Sequence, residues 1–322
     1  METRFLGRSG LRVTPFAFGS WLTFGQGGPQ NAGKMVDYAL ERGINFLDTA
    51  DVYDNGAAES MLGRILTKHR RQHIVLATKV YWNMSDNPND WGLSRKHIFE
   101  SIDDSLQRMQ TDYVDLYQCH RFDTTVPLDE TVRAMGDLIR LGKVLYWGTS
   151  CWTGAQLREA CEIADRLHVP RPISEQPPYN MLSRQIEDEV LPTCAELGIG
   201  VINWSPLAQG FLTGKYRPGV IPEDSRKAQL GMSGMFLDQV ISNEEAYERL
   251  GRIEAVAQQF GIELPVLAVA WCLRRPELTS VILGASKTSQ IEQNMKALEV
   301  EWTPELDAAC EAACGGEPLQ TA

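Results

Sequence analysis

The sequence predicts an α/β fold, a closed (β/α)8 TIM barrel with an N-terminal β-hairpin and extra helices. Three observations predict it. Short, near-continuous apolar runs alternate with amphipathic helical patterns from end to end, as expected of parallel strands covered on both faces. The alternation gives eight strand–helix units, the number that closes a barrel. No linker, internal repeat or low-complexity tract divides residues 1–322, so the chain reads as one domain of ordinary barrel length.

The strand candidates are 16–19, 44–48, 74–79, 113–120, 144–150, 172–176, 200–205 and 280–286. Helical patterns follow at 33–42, 59–67, 94–109, 128–141, 154–167, 185–197, 245–260 and 288–298. In 94–109, Ile98, Ile102, Leu106 and Met109 share one face, as do Leu128, Val132, Met135 and Leu138 in the next helix. Thr153 with Gln156 forms a capping box before 154–167, and Ser242 with Glu245 forms another before 245–260. Residues 3–13 read as a hairpin turning at Arg8-Ser9-Gly10. Residues 264–274 and 304–314 read as added helices, the second started by Thr303-Pro304. Two long connections, 81–93 and 204–241, each follow a strand, which puts them on the barrel face that carries active sites.

Net charge is −11, from 31 basic and 42 acidic residues, with no basic run. Nucleic-acid binding is therefore not expected, because it rests on Lys and Arg neutralising phosphates. No apolar stretch approaches the roughly 20 residues of a membrane span, and the N-terminus lacks a signal-peptide shape. No membrane insertion and a cytoplasmic location are expected. The seven cysteines are scattered, at 119, 151, 161, 194, 272, 310 and 314, and read as reduced thiols. Cys310 and Cys314 have no second pair or His nearby, so no metal site is expected.

The chemistry emerges at the strand ends. The second strand ends on Asp48, with Tyr53 just beyond, the third on Lys79 and the fourth on His120. Ser150 and Gln176 end the fifth and sixth. Singly, each has an ordinary role: Asp48 as a cap, Lys79 snorkelling to solvent, His120 as a satisfied half-buried histidine, Tyr53 as packing. Together they bring an acid, a phenol, an amine and an imidazole to one face. A Lys beside an Asp stays charged and favours the phenolate of a neighbouring Tyr. Lowering a phenol from about 10 by about 2–3 units takes roughly 3–4 kcal/mol. One charge at about 4 Å, at an effective dielectric near 20, supplies roughly 4 kcal/mol. On that reckoning Tyr53 is a general acid, His120 orients a carbonyl, and the natural reaction is carbonyl reduction by a hydride donor.

The segments Asn45-Phe46-Leu47-Asp48-Thr49-Ala50-Asp51-Val52-Tyr53, Ala77-Thr78-Lys79 and Cys119-His120 resemble the signatures of the aldo-keto reductase family. The likeness runs from Arg4-Phe5-Leu6-Gly7 to Asn294. Residues 92–98, 146–150 and 270–274 resemble the branch that holds the β subunits of voltage-gated potassium channels and their bacterial relatives.

The resemblance implies Tyr53 as acid, Lys79 and Asp48 as its tuning pair, and His120 as the orienting group. It implies NADPH, rather than NADH, extended across the barrel mouth. The absence of a complete G-x-G-x-x-G and of a P-loop agrees with a cofactor held without a Rossmann domain. By position, Ser150 and Gln176 match the holders of the nicotinamide carboxamide, and Trp204 the aromatic near the ring. Ser205, Pro206, Leu207, Ala208, Gln209, Gly210 and Lys215 match the loop over the pyrophosphate, and Ser225 and Arg226 another part of it. Gly284, Ser286, Lys287, Gln290 and Asn294 match the adenosine end, although Gly284 also reads as a strand end and Ser286 as a helix cap. Trp82 is expected to line the substrate pocket, whereas Trp91 reads equally as loop packing.

The sequence departs from the family pattern in two places. The channel subunits carry Asn where His120 stands. Many reductases carry Arg where Gln290 stands, a role Lys287 and Arg226 would fill. The leading expectation is a reductase of small-molecule carbonyl substrates, with a homo-oligomer possible from the tetramers in this branch. The alternative is a nucleotide-sensing regulatory β-type subunit of a membrane channel. His120 and the immediate entry into the hairpin, with no long leading segment, favour the enzyme. A barrel of other chemistry, such as a sugar-phosphate isomerase, is left open by fold alone.

Overall fold

Eight parallel strands close on themselves. They are β3 (Phe16–Gly19), β4 (Phe46–Asp48), β5 (Val75–Val80), β6 (Val114–Cys119), β7 (Val144–Thr149), β8 (Ser174–Glu175), β9 (Gly200–Asn203) and β10 (Leu278–Leu283). They pair in chain order, and β10 closes onto β3. This computed structural model describes every residue except 22–27, 224, 226, 229–234, 317, 318 and 320–322. The closed (β/α)8 barrel expected from the sequence is present. The antiparallel hairpin of β1 (Arg4–Phe5) and β2 (Arg12–Val13) precedes it.

The outer layer contains α1 (Gly28–Glu41), α2 (Ala57–Leu66), α3 (Arg95–Met109), α4 (Leu128–Arg140), α5 (Gly154–Leu167) and α6 (Val190–Leu197). It continues with α7 (Met235–Ile241), α8 (Glu244–Gln259), α9 (Leu264–Leu273), α10 (Thr288–Met295) and α11 (Pro304–Cys314). Local signals set several starts. The Ser94 hydroxyl caps α3 by accepting from His97 N, the Thr153–Gln156 capping box starts α5, and Thr303 caps α11 ahead of Pro304.

Two cores divide the strand residues by alternation. Phe16, Phe18, Leu47, Leu76, Tyr117, Val201, Val281 and Leu283 pack with the helices. Ala17, Phe46, Val75, Ala77, Leu116, Ile202 and Ile282 pack together inside the barrel with Leu6 and Val13 of the hairpin segment, which closes one end. Because side chains alternate along a strand, residues two further along keep the same side. That rule carries Asp48, Lys79, Gln118 and His120 from the interior core to the C-terminal mouth. Gly148 belongs to the same row, and a Cβ there would sit 2.1 Å from Ser174 Oγ, so the close approach of β7 and β8 needs glycine.

Two local expectations are corrected. The span 185–197 is not one helix but a 3₁₀ turn, Gln185–Glu187, followed by α6. Pro192 lies in the first turn of α6, and its ring clashes with the carbonyl four residues back, so the helix cannot run through 188. The capping box at Ser242 is displaced by one residue. Ser242 Oγ donates to Asp238 O at 2.7 Å and closes α7, while Asn243 Oδ1 accepts from Glu245 N at 2.9 Å and starts α8. The long connection after β9 also carries structure of its own, a 3₁₀ segment at Ala208–Thr213 and then α7.

Candidate active site

Lys79 ends the interior row of β5 and is fully buried. Its ammonium donates to Asp48 Oδ2 at 2.7 Å, to Thr49 O at 2.7 Å and to Tyr53 Oη at 3.2 Å. An ammonium has three donors, so all are used. The other carboxylate oxygen of Asp48 accepts from Gln176 Nε2 at 2.9 Å and Gln118 Nε2 at 3.4 Å. Ser150 Oγ donates to Gln176 O at 2.8 Å. The turn after β4 presents Tyr53 above Lys79, with the amide of Tyr53 bonded to Ala50 O at 3.2 Å. The His120 ring stands edge-on to Tyr53 at 5.8 Å between centroids, and Trp82 lies 6.3 Å from His120. The four strand-end residues and Trp82 thus meet in one place.

Burial opposes the charge on Lys79, but the Asp48 carboxylate and the hydrogen bonds outweigh it and hold the pKa above the ordinary value. Burial pushes His120 well below the usual imidazole range, helped by Lys79 and Arg121, so it is neutral at pH 7. The expectation for Tyr53 is corrected. Burial raises the phenol above its ordinary value, Lys79 pulls it down by less, and Asp48 pushes it up again. The sequence reckoning counted the attraction to Lys79 but neither the desolvation nor the opposing charge 2.7 Å from that ammonium.

Backbone strain gathers at the same mouth. Eight non-glycine residues have positive φ among the described residues. Gln110 and His168 close α3 and α5. The other six, Asp54, Asn55, Cys151, Ser205, Ala208 and Gln209, lie just past Tyr53, Ser150 and Trp204. Such strain persists where a site holds it. Gln209 is buried, and neither its amide nitrogen nor its oxygen has a partner among the described residues.

The model of the Aldo/keto reductase family matches residues 15–313. The chain belongs to the aldo/keto reductase family. It is 43% identical to a probable voltage-gated potassium channel subunit beta of Oryza sativa subsp. japonica, covering 100% of this chain and 99% of that protein. It is 44% identical to a protein of the same description from Arabidopsis thaliana, over 93% and 92%. A putative subunit beta from Schizosaccharomyces pombe is 39% identical, over 98% and 94%.

Within this aldo/keto reductase barrel, the positions expected to hold a nucleotide surround the mouth. Trp204 bridges to Pro178 and stands edge-on to Trp21 at 6.3 Å. Ser205, Pro206, Leu207, Ala208, Gln209 and Gly210 form the strained turn, with Lys215 Nζ 3.5 Å from where a Gly210 Cβ would lie. Ser225 is buried, and Arg226 lies outside the described residues. Gly284 follows β10. Gln290 Oε1 accepts from the amides of Ser286 and Lys287 at 2.9 and 3.2 Å, so it caps α10, the task sequence reasoning had considered for Ser286. Lys287 is exposed at that helix start, and Asn294 is buried within it.

Sequence reasoning missed three residues of this assembly. Gln118 and Trp21 continue interior rows, two places past Leu116 and Gly19, and alternation would have found both. Trp21 lies 6.4 Å from Tyr53 between ring centroids. Asn180, whose side-chain nitrogen donates to Ser205 O at 3.0 Å, sits in an irregular segment with no such signal. Trp91 packs on Tyr81 at 5.6 Å and lies partly in solvent, which favours its loop-packing role.

Proposed function

We propose that this protein reduces aldehydes or ketones to alcohols with NADPH, Tyr53 being the general acid. The observation that carries the reading is the buried Asp48–Lys79–Tyr53 chain at the barrel mouth. Neutral His120, with Nδ1 buried and unpartnered among the described residues, orients the substrate carbonyl beside it. The Tyr53 hydroxyl donates to the carbonyl oxygen and passes its proton as alkoxide charge develops there. The fixed ammonium of Lys79 then stabilises the phenolate left behind.

The nucleotide fits this chain's own groups. The orphaned amide of Gln209 and the strained turn beside Lys215 suit an anionic ligand crossing the mouth. NADPH supplies the hydride when bound. Ser150, Gln176 and Trp204 would hold its nicotinamide end, Ser205 to Gly210, Lys215, Ser225 and Arg226 its pyrophosphate, and Gly284, Ser286, Lys287, Gln290 and Asn294 its adenosine. Lys287 at the start of α10 suits a 2′-phosphate, which favours NADPH over NADH. Trp82 lines the substrate side.

Tyr53→Phe is expected to fold and to quench on titration with NADPH like the wild type, but to lose about 10²–10⁴ in kcat. Retention of most of the turnover would remove Tyr53 from the acid role. The relatives' descriptions favour a second reading, a regulatory subunit of a channel. Co-purification with a channel, together with negligible turnover over a broad carbonyl panel, would select it.

A further inference from the structure

Arg121 follows His120 directly, and the proton transfer just described gives it no task. Its Nη1 donates to the His120 carbonyl at 2.6 Å. Its Cζ lies 5.6 Å from the centroid of Trp82, whose ring borders His120. Its positive charge acts to lower the pKa of Tyr53, Tyr81, His120, Cys151 and Glu175.

The surrounding acids are otherwise engaged. Asp48 is held by Lys79. Asp123 accepts from the amides of Leu93 and Thr125 and from the Thr125 hydroxyl. Glu175 accepts from Thr149 and Trp152. Half-buried Arg71, Arg108, Arg184 and Arg274 each pair with a carboxylate, whereas Arg121 forms no ion pair among the described residues. In a chain of net charge −11, an unneutralised guanidinium beside the reacting groups is unusual.

We propose that Arg121, beside Trp82, anchors a carboxylate carried by the carbonyl substrate. The inference rests on the reductase reading and names its substrate class. With Nη1 donating to the His120 carbonyl, the Nε–Nη2 edge of the guanidinium remains, and this planar fork matches two carboxylate oxygens. A phosphate dianion would call for a second cation, and Lys79 has no donor left. Trp82 then packs the body of the substrate while Arg121 fixes its far end, so that the carbonyl reaches His120 and Tyr53.

The test compares the carboxybenzaldehyde isomers with their methyl esters, which differ in charge, through the ratio of kcat/KM for each acid to that for its ester. The wild type is expected to favour at least one acid. Arg121→Met is expected to lower that ratio by about 10–100-fold, the scale of one charged hydrogen-bonding contact. Arg121→Lys, which keeps the charge without the fork, should retain part of it. A ratio unchanged in Arg121→Met, including an equal fall for acid and ester, overturns the subsite and leaves Arg121 a structural role. Wild-type turnover of the esters with no gain for any acid overturns the subsite alone. Turnover of neither class with NADPH overturns the reductase reading and the subsite with it.

Discussion

Lys79 shows how much one residue's setting decides. Its charge is kept by Asp48 and used on Tyr53, and removing it leaves a buried carboxylate without its cation. Lys79→Met is therefore expected to lose stability by about 3–5 kcal/mol and most of the reductase turnover, measured by denaturation and NADPH oxidation. The pH profile follows from the same environment. In the proposed reduction Tyr53 must hold its proton to donate it, and burial keeps its pKa raised. The reduction rate is expected to be flat through neutral pH and to decline only above the ordinary phenol range near pH 10. An alkaline limb below pH 9 would contradict this. The sequence showed which residues meet, because strand ends announce themselves. It did not show the direction of the Tyr53 shift, because desolvation depends on surrounding atoms that no strand-end pattern reveals.

At the scale of the element, alternation along each strand is the most informative rule. It separates interior from helix-facing residues in β3 to β10, and continued two places further it yields Gln118 and Trp21 as well as the expected groups. Helix starts with a side-chain cap, such as Thr153 and Thr303, were legible to the residue. The break before α6 was not, because hydrophobic spacing runs on through 185–197 and Pro192 acts on the turn behind it. Ser242 misled because a second helix, α7, ends on it and the cap passes to Asn243. Gly148 gives the element-scale prediction. Gly148→Ala forces β7 away from Ser174 and should cost about 1–3 kcal/mol. Adding Ser174→Gly should restore part of it, read as the urea midpoint.

Across the whole molecule, the barrel is closed at one end by the hairpin segment and opens at the other onto charge. Among the described residues, no helix is long and apolar enough to cross a membrane. The seven cysteines are unpaired, and six of them are buried. Below the mouth, Asp51 accepts from Val52 N at 2.6 Å and Ser101 Oγ at 3.0 Å, and burial together with nearby Glu59 pushes it up to about 7. A carboxyl raised in the folded state binds its proton more tightly there than in the unfolded chain. Its contribution is complete below the unfolded value of about 4 and is lost as pH rises through about 7. Asp51→Asn should therefore be more stable than the wild type by roughly 1–3 kcal/mol at pH 8. The advantage should shrink towards pH 4 in urea denaturation, and an advantage independent of pH would contradict the assignment.

The saturation of the Lys79 ammonium has a further consequence. A barrel-mouth lysine with a lone pair to offer can condense with a carbonyl compound and carry it as an imine. Here the nitrogen is protonated, enclosed and tied in three directions. In the proposed reaction, a carbonyl beside Lys79 therefore meets no free amine, and the covalent route through an imine on this lysine is closed.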